Sequence, residues 1–146
     1  MDVTGLDFIK ETIPHRPPFL WLDRVVELSR QEIRAEKYLD PDLDIFRGHY
    51  PDYPLMPGVL LCEAVFQAGA VLIARTSEES GPAVGVPVLA RIQGAKFKRE
   101  VRPGETIAIE AKIKEKVGPA WFLRGTVRVS AKVAVQVDFS CMVKKD

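Results

Sequence analysis

Apolar and polar positions change period along this chain, and each change marks an element. Leu6, Phe8, Ile9 and Ile13 fall mainly on one side of a short helix that Thr4 can cap and Pro14 ends. Phe19 to Leu28 is rich in aromatic and β-branched residues and closes at Ser29-Arg30, which predicts a first strand. From Glu32 to Leu39, Ile33, Ala35, Lys37 and Leu39 alternate with Glu32, Arg34, Glu36 and Tyr38, a half-exposed strand marred only by Lys37. The two strands would pair as a hairpin. The period then shifts, because from Val59 to Ala74 the only strongly polar side chains are Glu63 and Gln67, four apart and so on one face of a helix. Pro57 suits the first helical turn and no proline follows until Pro82, which predicts a helix from Gly58 to about Arg75. A helix apolar around its whole circumference must be buried on nearly all sides.

The C-terminal half returns to a period of two. Thr76 to Pro87, rich in Ser, Glu, Gly and Pro, reads as a surface connection. A strand from Val88 to about Val101 follows, then the turn Arg102-Pro103-Gly104-Glu105. Ile107, Ile109, Ala111 and Ile113 alternate with polar partners, Lys116 to Pro119 reverses the chain, and Trp121 to Val129 and Val133 to Val143 repeat the pattern. Five or six antiparallel strands, each with one dry face, and one helix dry all round satisfy each other if the sheet curls around the helix. The expectation is one α+β domain over residues 1–146.

Charge narrows the partners. With 21 basic and 20 acidic residues in 146, no global field favours nucleic acid or a membrane surface. Leu55 to Ala74 approaches the ~20 residues of a membrane span, but Pro57, Glu63 and Gln67 interrupt it and no basic flank opens it. Cys62 and Cys141 lie in apolar patterns without metal-type spacing, so they read as reduced, buried thiols. The first residues lack the basic start and long apolar core of a targeting segment, and the expected location is the cytoplasm.

His49, in a loop, and Glu63, on the buried helix, are the strong acid/base candidates beside apolar sequence. An imidazole takes a proton near neutral pH, and a carboxyl group walled in by apolar side chains holds one to donate. The amides of Gly58 and Val59, ahead of the helical ladder, are spare donors. His15, in a proline-stiffened loop without a nearby acid on a dry helix, reads as structural.

Ile13-Pro14-His15-Arg16-Pro17-Pro18-Phe19-Leu20, Asp23-Arg24-Val25, Gly48-His49-Tyr50-Pro51, Pro54-Leu55-Met56-Pro57-Gly58-Val59 and Glu63-Ala64-Val65-Phe66-Gln67 follow one another in order. With Lys96-Phe97-Lys98-Arg99 and Arg102-Pro103-Gly104-Glu105, they give a chain that resembles the (3R)-3-hydroxyacyl-[acyl-carrier-protein] dehydratases of the hotdog superfamily over nearly its whole length. The resemblance implies a curved sheet around a central helix. It also implies a homodimer whose two active sites each pair His from one subunit with Glu from the other, often as a trimer of dimers. His49 and Glu63 then match the catalytic pair, the Gly58 amide binds the thioester carbonyl, with Val59 beside it, and Gln67 helps hold Glu63. No metal or redox cofactor is implied; the substrate arrives on the phosphopantetheine of acyl carrier protein.

Tyr50 replaces the family's common Phe, and Asp52-Tyr53 replaces a pair that is often Gly-His, so Tyr50 and Tyr53 are candidates for shaping the acyl tunnel, although Asp52 and Tyr53 also suit a solvent-facing loop. Trp21 stands where a smaller residue is common, a packing substitution. Lys96, Lys98, Arg99 and Arg102 form a local basic cluster, with Lys96, Lys98 and Arg102 on one strand face, and are the candidates for docking the acidic carrier. Two other readings compete: a hotdog thioesterase that directs water at the carbonyl, and a non-catalytic acyl-binding or scaffold subunit.

Overall fold

Alternation in the C-terminal half places Ile107, Ile109 and Ala111, then Leu123 and Val127, then Val135, Val137 and Phe139 in the core, each 2% exposed or less. The computed structural model describes residues 5–78 and 86–144. Its elements are α1 (Leu6–Thr12), β1 (Arg24–Leu28), β2 (Glu32–Tyr38), α2 (Ile45–Gly48), α3 (Gly58–Glu78), β3 (Val86–Phe97), β4 (Thr106–Val117), β5 (Ala120–Val129) and β6 (Lys132–Lys144). The strands form one antiparallel sheet in the order β1-β2-β4-β5-β6-β3. α3 packs against β2, β3, β4, β5 and β6, so the sheet wraps the helix. This is the α+β hotdog fold.

Small residues let helix and sheet approach. Gly125 of β5 pairs with Ala111 on one side and Val137 on the other, and a Cβ there would lie 2.1 Å from Val65 Cγ1 and 2.7 Å from Glu110 O. Gly69 of α3 reciprocates, with Phe139 Cζ 3.1 Å and Leu123 Cδ2 3.3 Å from where its Cβ would be. The apolar length of α3 satisfies the criteria for a membrane span, but 67% of that window is buried inside the fold. It is a core helix.

The two sheet edges differ. β1 has five residues, whereas β3 has twelve and leaves Val88, Leu89, Ile92 and Phe97 40–56% exposed. A long apolar edge with an unpaired row of backbone groups is a pairing surface.

Several boundaries depart from expectation. The first strand begins at Arg24 instead of Phe19, because the backbone of Phe19 and Trp21 bonds to the Gln67 side chain instead of to a neighbouring strand. Lys37, the blemish in β2, is half-buried beside Asp23, its Nζ 3.0 Å from Oδ1. α3 runs to Glu78 and β3 starts at Val86, so most of the expected 76–87 connection is helix, strand or outside the described residues. The proposed Thr4 cap also lies outside them; Gly5 occupies the N-cap position of α1. β3 stops at Phe97, not Val101, because the Lys98 and Arg99 amides both turn to the Ala134 carbonyl at 2.7 and 3.4 Å. One strand face therefore does not carry Lys96, Lys98 and Arg102 together.

Candidate active site

The ladder of α3 begins with the Leu60 and Leu61 amides donating to Pro57 O at 3.0 and 3.1 Å. Gly58 and Val59 precede it, their N–H groups at the positive end of a 21-residue helix. Glycine at 58 gives room to a neighbour: a Cβ would sit 2.7 Å from two atoms of the exposed Phe97 ring and would push it aside. Such amides suit a carbonyl oxygen that gains negative charge.

Glu63 lies in the next turn, partly buried, and its carboxylate is held by a fixed neighbour. Gln67 is fully buried; its Oε1 accepts from the Trp21 amide at 2.8 Å, and its Nε2 donates to Phe19 O at 2.9 Å and to Glu63 Oε2 at 3.0 Å. Both ends of the amide are thus assigned by backbone groups, which leaves one N–H aimed at the carboxylate. Trp21 itself is buried and packs edge-to-face on Phe19, the packing role expected of it.

His15 stands on the other side of Glu63, with Nε2 3.7 Å from Oε2, which overturns its reading as a histidine remote from any acid. Its Nδ1 is buried without a hydrogen-bond partner. A cavity of about 280 Å³ joins His15 and Glu63 to Phe66, Ala70, Leu89 and Cys141. Burial first, and the Glu63 carboxylate second, push the Cys141 thiol up to about 12, so it stays protonated and inert at neutral pH. Burial likewise raises Cys62.

His49 is set by its loop. α2, an element the sequence pattern did not announce, ends on it, the His49 amide donating to Ile45 O at 3.1 Å. The ring stacks on Tyr50 at 4.2 Å between centroids, and Nδ1 lies 3.0 Å from Leu55 O. A carbonyl oxygen only accepts, so Nδ1 carries the proton and Nε2 keeps its lone pair in the neutral ring. That is the tautomer of a general base. Among the described residues, no hydrogen bond or ion pair joins His49 to Glu63 within one chain; the carboxylate's partners are Gln67 and His15.

The remaining candidates lie outward. Tyr50 and Tyr53 are 51% and 44% exposed, and Asp52 is exposed between them. The Tyr53 hydroxyl donates to Glu100 Oε2 at 2.7 Å and accepts from the Arg102 guanidinium, whose carbon lies 4.7 Å from the Tyr53 ring centre. Lys96, Lys98 and Arg99 are exposed, and among the described residues they form no ion pair; Arg102 pairs with Glu100 at 3.2 Å.

Residues 13–138 match the FabA-like domain model. The chain is 40% identical over 130 residues to the 3-hydroxyacyl-[acyl-carrier-protein] dehydratase FabZ of Clostridium perfringens, covering 89% of this chain and 91% of that protein. It is 37% identical to the FabZ of Anaeromyxobacter dehalogenans, over 98% and 90% of the two chains. Among solved structures, the dehydratase heterocomplex ApeI:P from Xenorhabdus doucetiae superposes with a TM-score of 0.77 at 15% identity, over 94% of this chain and 91% of that one. Thioesterase superfamily member 2 of Mus musculus superposes at 0.64 with 14% identity, over 82% and 80%, so the fold alone does not separate the two chemistries. The length and identity of the sequence matches do: this chain belongs to the FabA-like family and, within it, to the FabZ 3-hydroxyacyl-[acyl-carrier-protein] dehydratases.

Proposed function

We propose that the chain removes water from (3R)-3-hydroxyacyl thioesters on acyl carrier protein, giving trans-2-enoyl thioesters in fatty acid synthesis. The observation that carries the chemistry is the hydrogen bond between His49 Nδ1 and Leu55 O, which leaves the Nε2 lone pair to act as the base. Nε2 takes the α-proton. Charge develops on the thioester oxygen, where the Gly58 amide, with Val59 beside it, stabilises it; one such donor contributes about 10²- to 10³-fold in rate. The carboxylic-acid form of Glu63, steadied by Gln67, gives its proton to the β-hydroxyl, directly or through a water, the C–O bond breaks as the double bond forms, and the proton His49 took restores the acid after water leaves. Only a proton and a hydroxide leave, so no metal or redox cofactor is called for.

That His49 and Glu63 do not meet within one chain supports a site shared between two copies, His49 from one and Glu63 from the other. The apolar edge of β3 supports a homodimer joined there, with three dimers assembling further. Tyr50 and Tyr53, on the His49 loop, would border the acyl entrance. Lys96, Lys98, Arg99 and Arg102 would receive the acidic carrier, whose phosphopantetheine arm delivers the thioester, in the cytoplasm.

A single incubation tests this. The pure protein is given a 3-hydroxyacyl thioester, and both enoyl formation and free thiol are followed. Enoyl product that disappears in His49→Ala and Glu63→Gln supports dehydration; thiol release without enoyl product would move the chain to thioester hydrolysis. No product at any chain length would leave a non-catalytic acyl-binding subunit. Charge reversal at Lys96 and Lys98 should weaken turnover of the carrier-linked substrate and spare short soluble thioesters.

A further inference from the structure

We propose that Tyr53 is a positioning residue: through Arg102 and Glu100 it fastens the loop that holds the His49 imidazole. The inference rests on His49 being the base of the dehydration.

The loop from His49 to Met56 is folded on itself. The Tyr50 amide donates to Tyr53 O at 3.3 Å and the Tyr53 amide to Tyr50 O at 3.1 Å, while the Leu55 amide donates to His49 O at 2.8 Å. The imidazole takes its orientation from two members of this loop, the Tyr50 ring and the Leu55 carbonyl. Wherever the turn moves, the base moves with it.

Two attachments join the loop to the segment after β3. One is backbone, Met56 N to Val101 O at 2.8 Å, and sits at the far end of the loop from His49. The second is the Tyr53 side chain, whose hydroxyl donates a hydrogen bond to Glu100 and accepts one from Arg102, while the guanidinium covers the ring and reaches the same Glu100 oxygen. Each contact is partly exposed and weak by itself, but every group serves two others, so the three hold as a unit. A planar guanidinium can stack and donate at once, which an ammonium cannot.

Tyr53 thus does more than face solvent, and Arg102 belongs to the His49 loop as well as to the basic cluster. An acidic group that docks on Arg102 must compete with Tyr53 and Glu100 for the guanidinium. Carrier contact at that residue is therefore felt at the imidazole.

The test reads the imidazole and the turnover separately. Nitrogen spectra of the His49 ring are recorded without substrate for the wild type, Tyr53→Phe, Tyr53→Ala and Arg102→Lys, and kcat and KM are measured with a short soluble 3-hydroxyacyl thioester. Tyr53→Ala should shift the His49 signals and lower kcat about tenfold, with KM within about twofold. Tyr53→Phe, which keeps the ring but not the hydroxyl, should fall between, and Arg102→Lys added to Tyr53→Ala should cost little more. Unchanged His49 signals in Tyr53→Ala, or a change confined to KM, would overturn the assignment and make Tyr53 a substrate contact or a bystander. If Tyr53→Ala does not fold, unaltered signals in both Tyr53→Phe and Arg102→Lys overturn it equally. A wild type that forms no enoyl product rejects the dehydratase reading, while the spectra still judge the tether.

Discussion

His15 Nε2 lies 3.7 Å from Glu63 Oε2, so Glu63, the proposed acid, has an imidazole neighbour inside its own chain. The pair faces a cavity of about 280 Å³, small enough that moving the carboxylate changes what the cavity presents. His15→Ala should lower kcat by about tenfold through misplacement of Glu63, with the fold intact by circular dichroism. Wild-type kcat in that variant would return His15 to a packing role.

Gln67 should matter twice. It satisfies the Trp21 amide and the Phe19 carbonyl in a fully buried position, work that a strand would otherwise do. Gln67→Leu orphans both groups and should cost about 2–4 kcal/mol in urea denaturation. It also frees Glu63, so turnover of the surviving folded protein should fall.

Gly125→Ala tests how α3 sits in the sheet. The added carbon would meet Val65 Cγ1 at 2.1 Å and Glu110 O at 2.7 Å, and the second is backbone that cannot step aside. Overpacking of this kind should destabilise by about 1–3 kcal/mol or more, read as a lower Tm. Unchanged stability would mean that helix and sheet are less closely apposed.

Cys141 predicts a pH dependence. Its folded thiol is held near 12 against an ordinary 9.0, so the native state keeps a proton that the unfolded chain releases. Stability is present below about pH 9 and is lost as pH rises from there toward 12, by at most about 1.4 kcal/mol per unit. Cys141→Val should flatten the alkaline limb of stability relative to wild type. In the native wild type, iodoacetamide should modify Cys141 slowly at neutral pH.

α3 was legible because its burial is written around its whole circumference, and β4, β5 and β6 because each keeps one dry face. What failed to show was tertiary. Phe19–Trp21 looked like strand because an extended segment bonded to a glutamine has the same composition as one bonded to a neighbour strand. His15 looked remote from acid because sequence distance hides the approach of its loop to α3. The basic face expected at Lys96, Lys98 and Arg102 required β3 to continue, and it ends where Lys98 and Arg99 both turn to Ala134 O. His49 and Glu63 stood out in the sequence as residue types beside apolar positions, but whether two copies of the chain share them is a property of assembly and leaves no period to read.

The sharing of one site by two subunits is tested most directly by mixing. His49→Ala and Glu63→Gln, each inactive alone, are unfolded together, refolded and assayed for enoyl formation. Random pairing gives half mixed dimers, each with one intact His49 and Glu63 facing across the interface, so about a quarter of wild-type activity should return. A mixture as inactive as its parents, in dimers shown by mass to have exchanged subunits, would contradict a site built from both chains.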